Sequence, residues 1–131
     1  EMGNAWHEEV YQQCLERELS SRGIPFDSKK ELRIYYRGEP IEKTYIPDIV
    51  CYDKIILELK TVDHLANEHK AQLLNYLKAT TVEVGLLLNF GERPQFRRKI
   101  FTNDRKNIPW SSVKSVSSVA NKYNEISNEE S

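Results

Sequence analysis

The segment from Val82 to Phe90 constrains this chain most, being apolar except at Glu83, Gly85 and Asn89. It is far shorter than the ~20 apolar residues that span a bilayer. A strand exposed on one face would alternate polar and apolar side chains. The run therefore predicts a strand covered on both faces, central in a sheet with helices packed against it.

The neighbouring segments fit that arrangement. From Trp6 to about Ser21 apolar residues recur at helical spacing, with Trp6, Val10 and Cys14 on one stripe and Tyr11, Leu15 and Leu19 beside it. Gly23 and Pro25 supply the stop. Three strands are expected next, at Glu31–Tyr36, Thr44–Cys51 and Ile55–Lys60, and their short connections predict an antiparallel meander. A second helix is expected from Asp63, as N-cap, to Thr80, and a last strand from Phe96 to Phe101. The predicted fold class is α/β, with a central mixed sheet flanked by helices.

At 131 residues there is room for one such domain. The expected division is a domain over 1–101 and a C-terminal tail over 102–131. In that tail Val113, Val116, Val119 and Tyr123 hint at a weak helix behind Ser111 or Ser112, and disorder is expected after Asn124. Glu1-Met2-Gly3 reads as the interior of a longer chain. The net charge of −1 provides no global basic field, so nucleic-acid binding would need a local patch or metal ions. Cys14 and Cys51 are too few for a disulfide framework or an iron–sulfur cluster. They are expected to be buried thiols in a reducing cytoplasm. No membrane association is expected.

An acid-x-Lys tripeptide occurs four times, at Asp27-Ser28-Lys29, Glu58-Leu59-Lys60, Glu68-His69-Lys70 and Asp104-Arg105-Lys106. Alone it carries no information. Only Glu58-Leu59-Lys60 lies on an apolar-alternating strand, which puts both charges on one face with Ile56. It is also the only one with Pro47-Asp48 on the preceding strand, ten residues before Glu58. A short turn would bring Asp48 across to Glu58. Two carboxylates and the Leu59 carbonyl are hard oxygen ligands of the kind Mg²⁺ prefers, with Mn²⁺ as a substitute. Such an ion polarises a phosphoryl oxygen and lowers the pKa of a bound water, while Lys60 would be the catalytic cation.

Pro47-Asp48 followed by Glu58-Leu59-Lys60 resembles the PD-(D/E)XK nuclease superfamily. Downstream, Gln72-Leu73-Leu74-Asn75-Tyr76 resembles the Q-x-x-x-Y motif of its RecB-like branch. Upstream, Gly3 followed by Glu8-Glu9-Val10-Tyr11 resembles the signature of the GxxExxY family, a small bacterial and archaeal group within the superfamily. The stretch Gly85-Leu86-Leu87-Leu88-Asn89-Phe90-Gly91 is very like that family too, and the resemblance runs from about Gly3 to Phe101. Members usually carry a longer helical lead before the glycine.

The resemblance implies a restriction-endonuclease-like α/β fold, with Asp48 and Glu58 as metal ligands, Glu8 as a further acid near the metal, and Lys60 as the catalytic lysine. It also implies that Gln72 and Tyr76 position the substrate or that lysine. Arg93, Arg97, Arg98 and Lys99, extended by Arg105 and Lys106, form the best candidate for backbone contacts to nucleic acid. The expected function is Mg²⁺-dependent hydrolysis of phosphodiester bonds, in DNA rather than RNA, by a protein able to form a homodimer. The alternative is a non-catalytic module on the same fold that binds nucleic acid or a protein.

Overall fold

A computed structural model of the chain describes residues 4–113. The weak helix expected from Val113 to Tyr123 and the disorder expected after Asn124 therefore fall almost wholly outside the described residues. The elements are helix α1 (Asn4–Ser21), strands β1 (Phe26–Ser28), β2 (Leu32–Tyr36), β3 (Glu39–Tyr45), β4 (Ile49–Cys51) and β5 (Ile55–Lys60), helix α2 (Asn67–Ala79), strands β6 (Val84–Asn89) and β7 (Gln95–Ile100), and a short helix α3 (Trp110–Val113). A 3-10 turn at Asn103–Arg105 precedes α3.

Five strands form one mixed sheet in the order β1-β4-β5-β6-β7, and β2 and β3 form a separate two-stranded sheet. Only β5 and β6 run parallel, since the connection between them crosses over through α2. As expected, β6 lies inside the sheet with its residues buried or half-buried. On one face Leu19 of α1 packs with Ile49, Cys51, Leu57 and Leu59, joined by Leu15, Ile24 and Phe26. On the other, Leu73 and Leu77 of α2 pack with Ile56, Leu87, Tyr45, Leu65 and Val82. A Cβ on Gly85 would lie 2.8 Å from a Leu73 methyl, so the glycine is what lets α2 settle directly on β6.

Helix α1 ends where its sequence says it should. Gly23 takes φ 69°, its N–H donates to Ser20 O at 3.1 Å, and the Ile24 N–H reaches back to Leu19 O at 3.0 Å. These are the paired bonds of a glycine C-cap. The packing face of α1 differs from the expected one, however. Val10 is exposed (39%), as is Cys14, while Gln12 is buried beside Leu15 and Leu19. Of the two cysteines expected to be buried, only Cys51 is, and both are free.

The expected meander is also corrected. Thr44–Cys51 is not one strand but the end of β3, the exposed Ile46, the buried Pro47, Asp48, and then β4. Proline lacks the N–H that a continuous ladder needs, so the chain steps there from the hairpin into the main sheet. The hairpin closes with Arg37 and Gly38 both at positive φ, the twist a two-residue loop requires. Asp63 is not the N-cap of α2. The helix begins four residues later at Asn67, because Leu65 plugs the core and Val62 exchanges two hydrogen bonds with the Asn89 amide at 3.0 and 2.8 Å. Instead of a side-chain cap, His69 Nδ1 accepts the Ala66 N–H at 3.0 Å.

Residues expected to begin the C-terminal tail are held on this body. The Asn103 N–H donates to Glu83 Oε2 at 2.6 Å and its side-chain amide to Thr81 O at 3.0 Å. Lys106 Nζ donates to Thr80 O and Val82 O at 3.0 and 2.7 Å, beyond the C-terminus of α2. Among the described residues no helix is long and apolar enough to cross a membrane.

Candidate active site

The antiparallel register Ile49↔Leu57, carried one residue further, sets Asp48 directly opposite Glu58. The two acids are bound into each other's backbone. The Asp48 N–H donates to Glu58 Oε1 at 2.9 Å, and Asp48 Oδ2 accepts the Leu59 N–H at 2.8 Å. Such crossed bonds leave the carboxylates adjacent and fix their orientation without a bridging cation. Burial, and then the negative charge of Asp48, push Glu58 up to about 7. Two acids held this close, one of them desolvated, gain strongly from a shared positive charge.

Asp48 is further held from α1 and from the turn after β1. The buried Gln12 amide lies 3.0 Å from each of three acceptors: Asp48 O, Ser28 Oγ and Glu16 Oε2. The Lys29 N–H donates to Asp48 O at 3.1 Å and Lys29 Nζ pairs with Asp48 Oδ1 at 2.8 Å. Tyr45, the last residue of β3, is buried against Glu58. Burial and that charge drive its phenol far above the ordinary range, and its hydroxyl makes no hydrogen bond of normal geometry.

Glu58 and Lys60 alternate onto the α2 face of β5, as period two requires. With Tyr45, His69, Gln72, Leu73, Tyr76 and Leu87 they line a cavity of about 10 Å³, room for one water at most. The structure thus brings Gln72 and Tyr76 to Glu58 and Lys60. Tyr76 stacks on Tyr45, ring centroids 3.6 Å apart and planes within 3°, while Gln72 is exposed at the rim. Glu8, on the second turn of α1, feels the same centre. Burial raises its pKa, with Lys60 opposing and Asp48 adding to the shift. Among the described residues no three His, Cys, Asp or Glu side chains converge on one point, so Glu8 does not complete a cage with Asp48 and Glu58. Two carboxylates held side by side suit a hard divalent ion that keeps several waters.

The basic cluster is dispersed. Register places Arg97 opposite Leu87, itself opposite Glu58, so Arg97 shares the face of the acids about 10 Å away across two strand spacings. Lys99 shares that face and Arg98 takes the other, while Arg93 lies in the β6–β7 loop beside a cleft lined by Asp63, His64, Glu92 and Gln95. Two members leave the cluster: Lys106 turns inward onto carbonyls, and Arg105 sits over the Phe101 ring at 4.4 Å. Counting charges along a strand overlooks its two faces.

Sequence reasoning missed Gln12, Lys29, Tyr45 and His69. The signal for Gln12 was present: it stands four residues after Glu8, on the same helical face. Lys29 had been set aside with the uninformative tripeptides, since β1 carries only Phe26-Asp27-Ser28 and reads as loop.

A family profile described as the PD-(D/E)XK nuclease superfamily matches residues 1–99. No curated protein sequence matches the chain. Among solved structures, the crystal structure of SSO0001 is similar with a TM-score of 0.52 and 24% identity, covering 70% of this chain and 48% of its own. The present chain thus spans about half the length of that protein. An alkaline exonuclease from Laribacter hongkongensis is similar with a TM-score of 0.56 and 11% identity, over 99% of this chain and 73% of its own. At these identities the two structures speak for the fold.

Proposed function

The chain belongs to the PD-(D/E)XK nuclease superfamily, and on that premise we propose that it is a Mg²⁺-dependent nuclease that hydrolyses phosphodiester bonds of DNA. Its order of motifs assigns it, in our reading, to the GxxExxY group of the RecB-like branch, acting in the cytoplasm. The observation that carries the proposal is the crossed pairing of Asp48 and Glu58, with Glu58 pushed up to about 7 beside its neighbour.

In this reading Asp48, Glu58 and the Leu59 carbonyl hold Mg²⁺, or Mn²⁺ in its place, with Glu8 as an outer acid. The ion, when bound, supplies Lewis-acid polarisation of the phosphodiester. Lys60, on the same face as Glu58, offsets the negative charge that grows on the phosphorus centre and orients the attacking water. Gln72 at the rim and Tyr76 against Tyr45 shape the approach of the strand. Arg97 and Lys99, on the face of the acids, and Arg93 in the β6–β7 loop act on the flanking backbone as positioning charges without base readout.

The test is cleavage of linear DNA by the purified chain with Mg²⁺ or Mn²⁺ and without either. Asp48→Ala and Lys60→Ala should each lower the rate by at least about a hundredfold with circular dichroism unchanged. Full activity in both variants would remove the assignment.

A further inference from the structure

Lys29 belongs to one of the uninformative acid-x-Lys tripeptides, yet it holds Asp48 through both backbone and side chain. It stands in the turn after β1 with its backbone in the left-handed region, φ 57°. Its N–H donates to Asp48 O at 3.1 Å and its ammonium reaches Asp48 Oδ1 at 2.8 Å. The adjacent Lys30 has different partners, Asp53 at 2.6 Å and Asp27 at 3.8 Å, and takes no part in the centre.

The two oxygens of Asp48 are therefore held in different ways. Oδ2 is bound to a backbone amide inside the sheet, the Leu59 N–H, which cannot leave without disturbing β5. Oδ1 is bound to a side chain that is 51% exposed on a flexible four-carbon stem. A cation arriving from solvent meets Oδ1, and what it meets there is another cation.

We propose that Lys29 is a built-in counter-cation that occupies the exchangeable oxygen of Asp48 in the metal-free centre and is displaced when a divalent ion binds. The ion pair and the divalent ion compete for one oxygen, so Lys29 sets how tightly the centre loads. The displaced ammonium stays tethered by its own backbone bond to Asp48 O. It is then free to meet an anion beside the centre, and the anion the nuclease reading supplies is a phosphate of the bound strand. The inference rests on Asp48 being a ligand, and the experiment separates the two.

Calorimetric titration of the full chain with Mn²⁺, and with Mg²⁺, needs no nucleic acid and no turnover. Wild type should bind and Asp48→Asn should not. Lys29→Met, which keeps length and removes charge at a half-exposed position, should bind about tenfold more tightly or better, the effect of removing a unit charge beside a divalent ion. Lys29→Arg, which keeps the charge, should bind no more tightly than wild type. If Asp48→Asn binds as well as wild type, the metal reading of Asp48 fails and this inference goes with it. If Asp48→Asn loses binding while Lys29→Met is unchanged or weaker, only the role given to Lys29 is overturned.

Discussion

Gln12 shows how much of a centre rests on a residue that never touches the chemistry. Its amide is 95% buried, and its two hydrogens are shared among Asp48 O, Ser28 Oγ and Glu16 Oε2, tying α1 to β1 and to the acid. Gln12→Leu would remove these bonds while the Lys29 N–H stays on Asp48 O and the Ser28 hydroxyl on Glu16 Oε2, so it should destabilise the fold by about 1 kcal/mol. Thermal unfolding measures that directly, and an unchanged midpoint would mean that water replaces the amide. At this scale the sequence was legible where chemistry followed a pattern. Asp48, Glu58 and Lys60 could be picked out because period two and a ten-residue offset are visible in a string of letters. Gln12, Lys29 and Tyr45 could not, since a polarity pattern assigns Gln and Lys to solvent and reads Tyr45 as one more strand residue. Only the fold reveals that each meets Asp48 or Glu58.

Among elements, α2 sits close on β6, where Gly85 stands under Leu73. Gly85→Val inserts three carbons where one would already lie at 2.8 Å from a methyl. Leu73 must repack or the helix lift, at a cost of about 1–3 kcal/mol. Urea unfolding should record the loss. Gln72 and Tyr76 ride on the same helix, so the variant should also weaken cleavage. A stable variant with full activity would mean that Leu73 simply rotates away. Strands and helices were mostly readable because β5 alternates and β6 is almost wholly apolar, while α1 was found as a helix with the wrong packing stripe. The failures share a cause, which is long-range packing outweighing local preference. Asp63 has good capping chemistry, but Leu65 and Val62 are drawn into the core and hold the chain extended until Asn67. Thr44–Cys51 has good strand chemistry, yet Pro47 divides it between two sheets.

For the whole molecule, acid–base behaviour extends well beyond Asp48 and Glu58. Burial lowers the Lys106 amine from 10.5 to about 7, while it bridges Thr80 O and Val82 O. The unfolded chain therefore holds a proton on this lysine between pH 7 and 10.5 that the folded chain has released, so stability from this group rises with pH across that window. Below pH 7 both states are protonated and the term is flat, at its least favourable. Denaturant titrations at pH 6, 8 and 10 should show wild type gaining on Lys106→Met as pH rises, and parallel curves would overturn the assignment. The crossover through α2 carries a consequence of another kind. Ile55 pairs with Val84 in the same direction, which requires the whole intervening chain to have been threaded back over the sheet first. Synthesis delivers Asp48 and Glu58 before β6, the strand that backs them. The pairing of β5 with β6 can form only after α2 and β6 have emerged, so the face carrying Asp48 and Glu58 is completed late in synthesis.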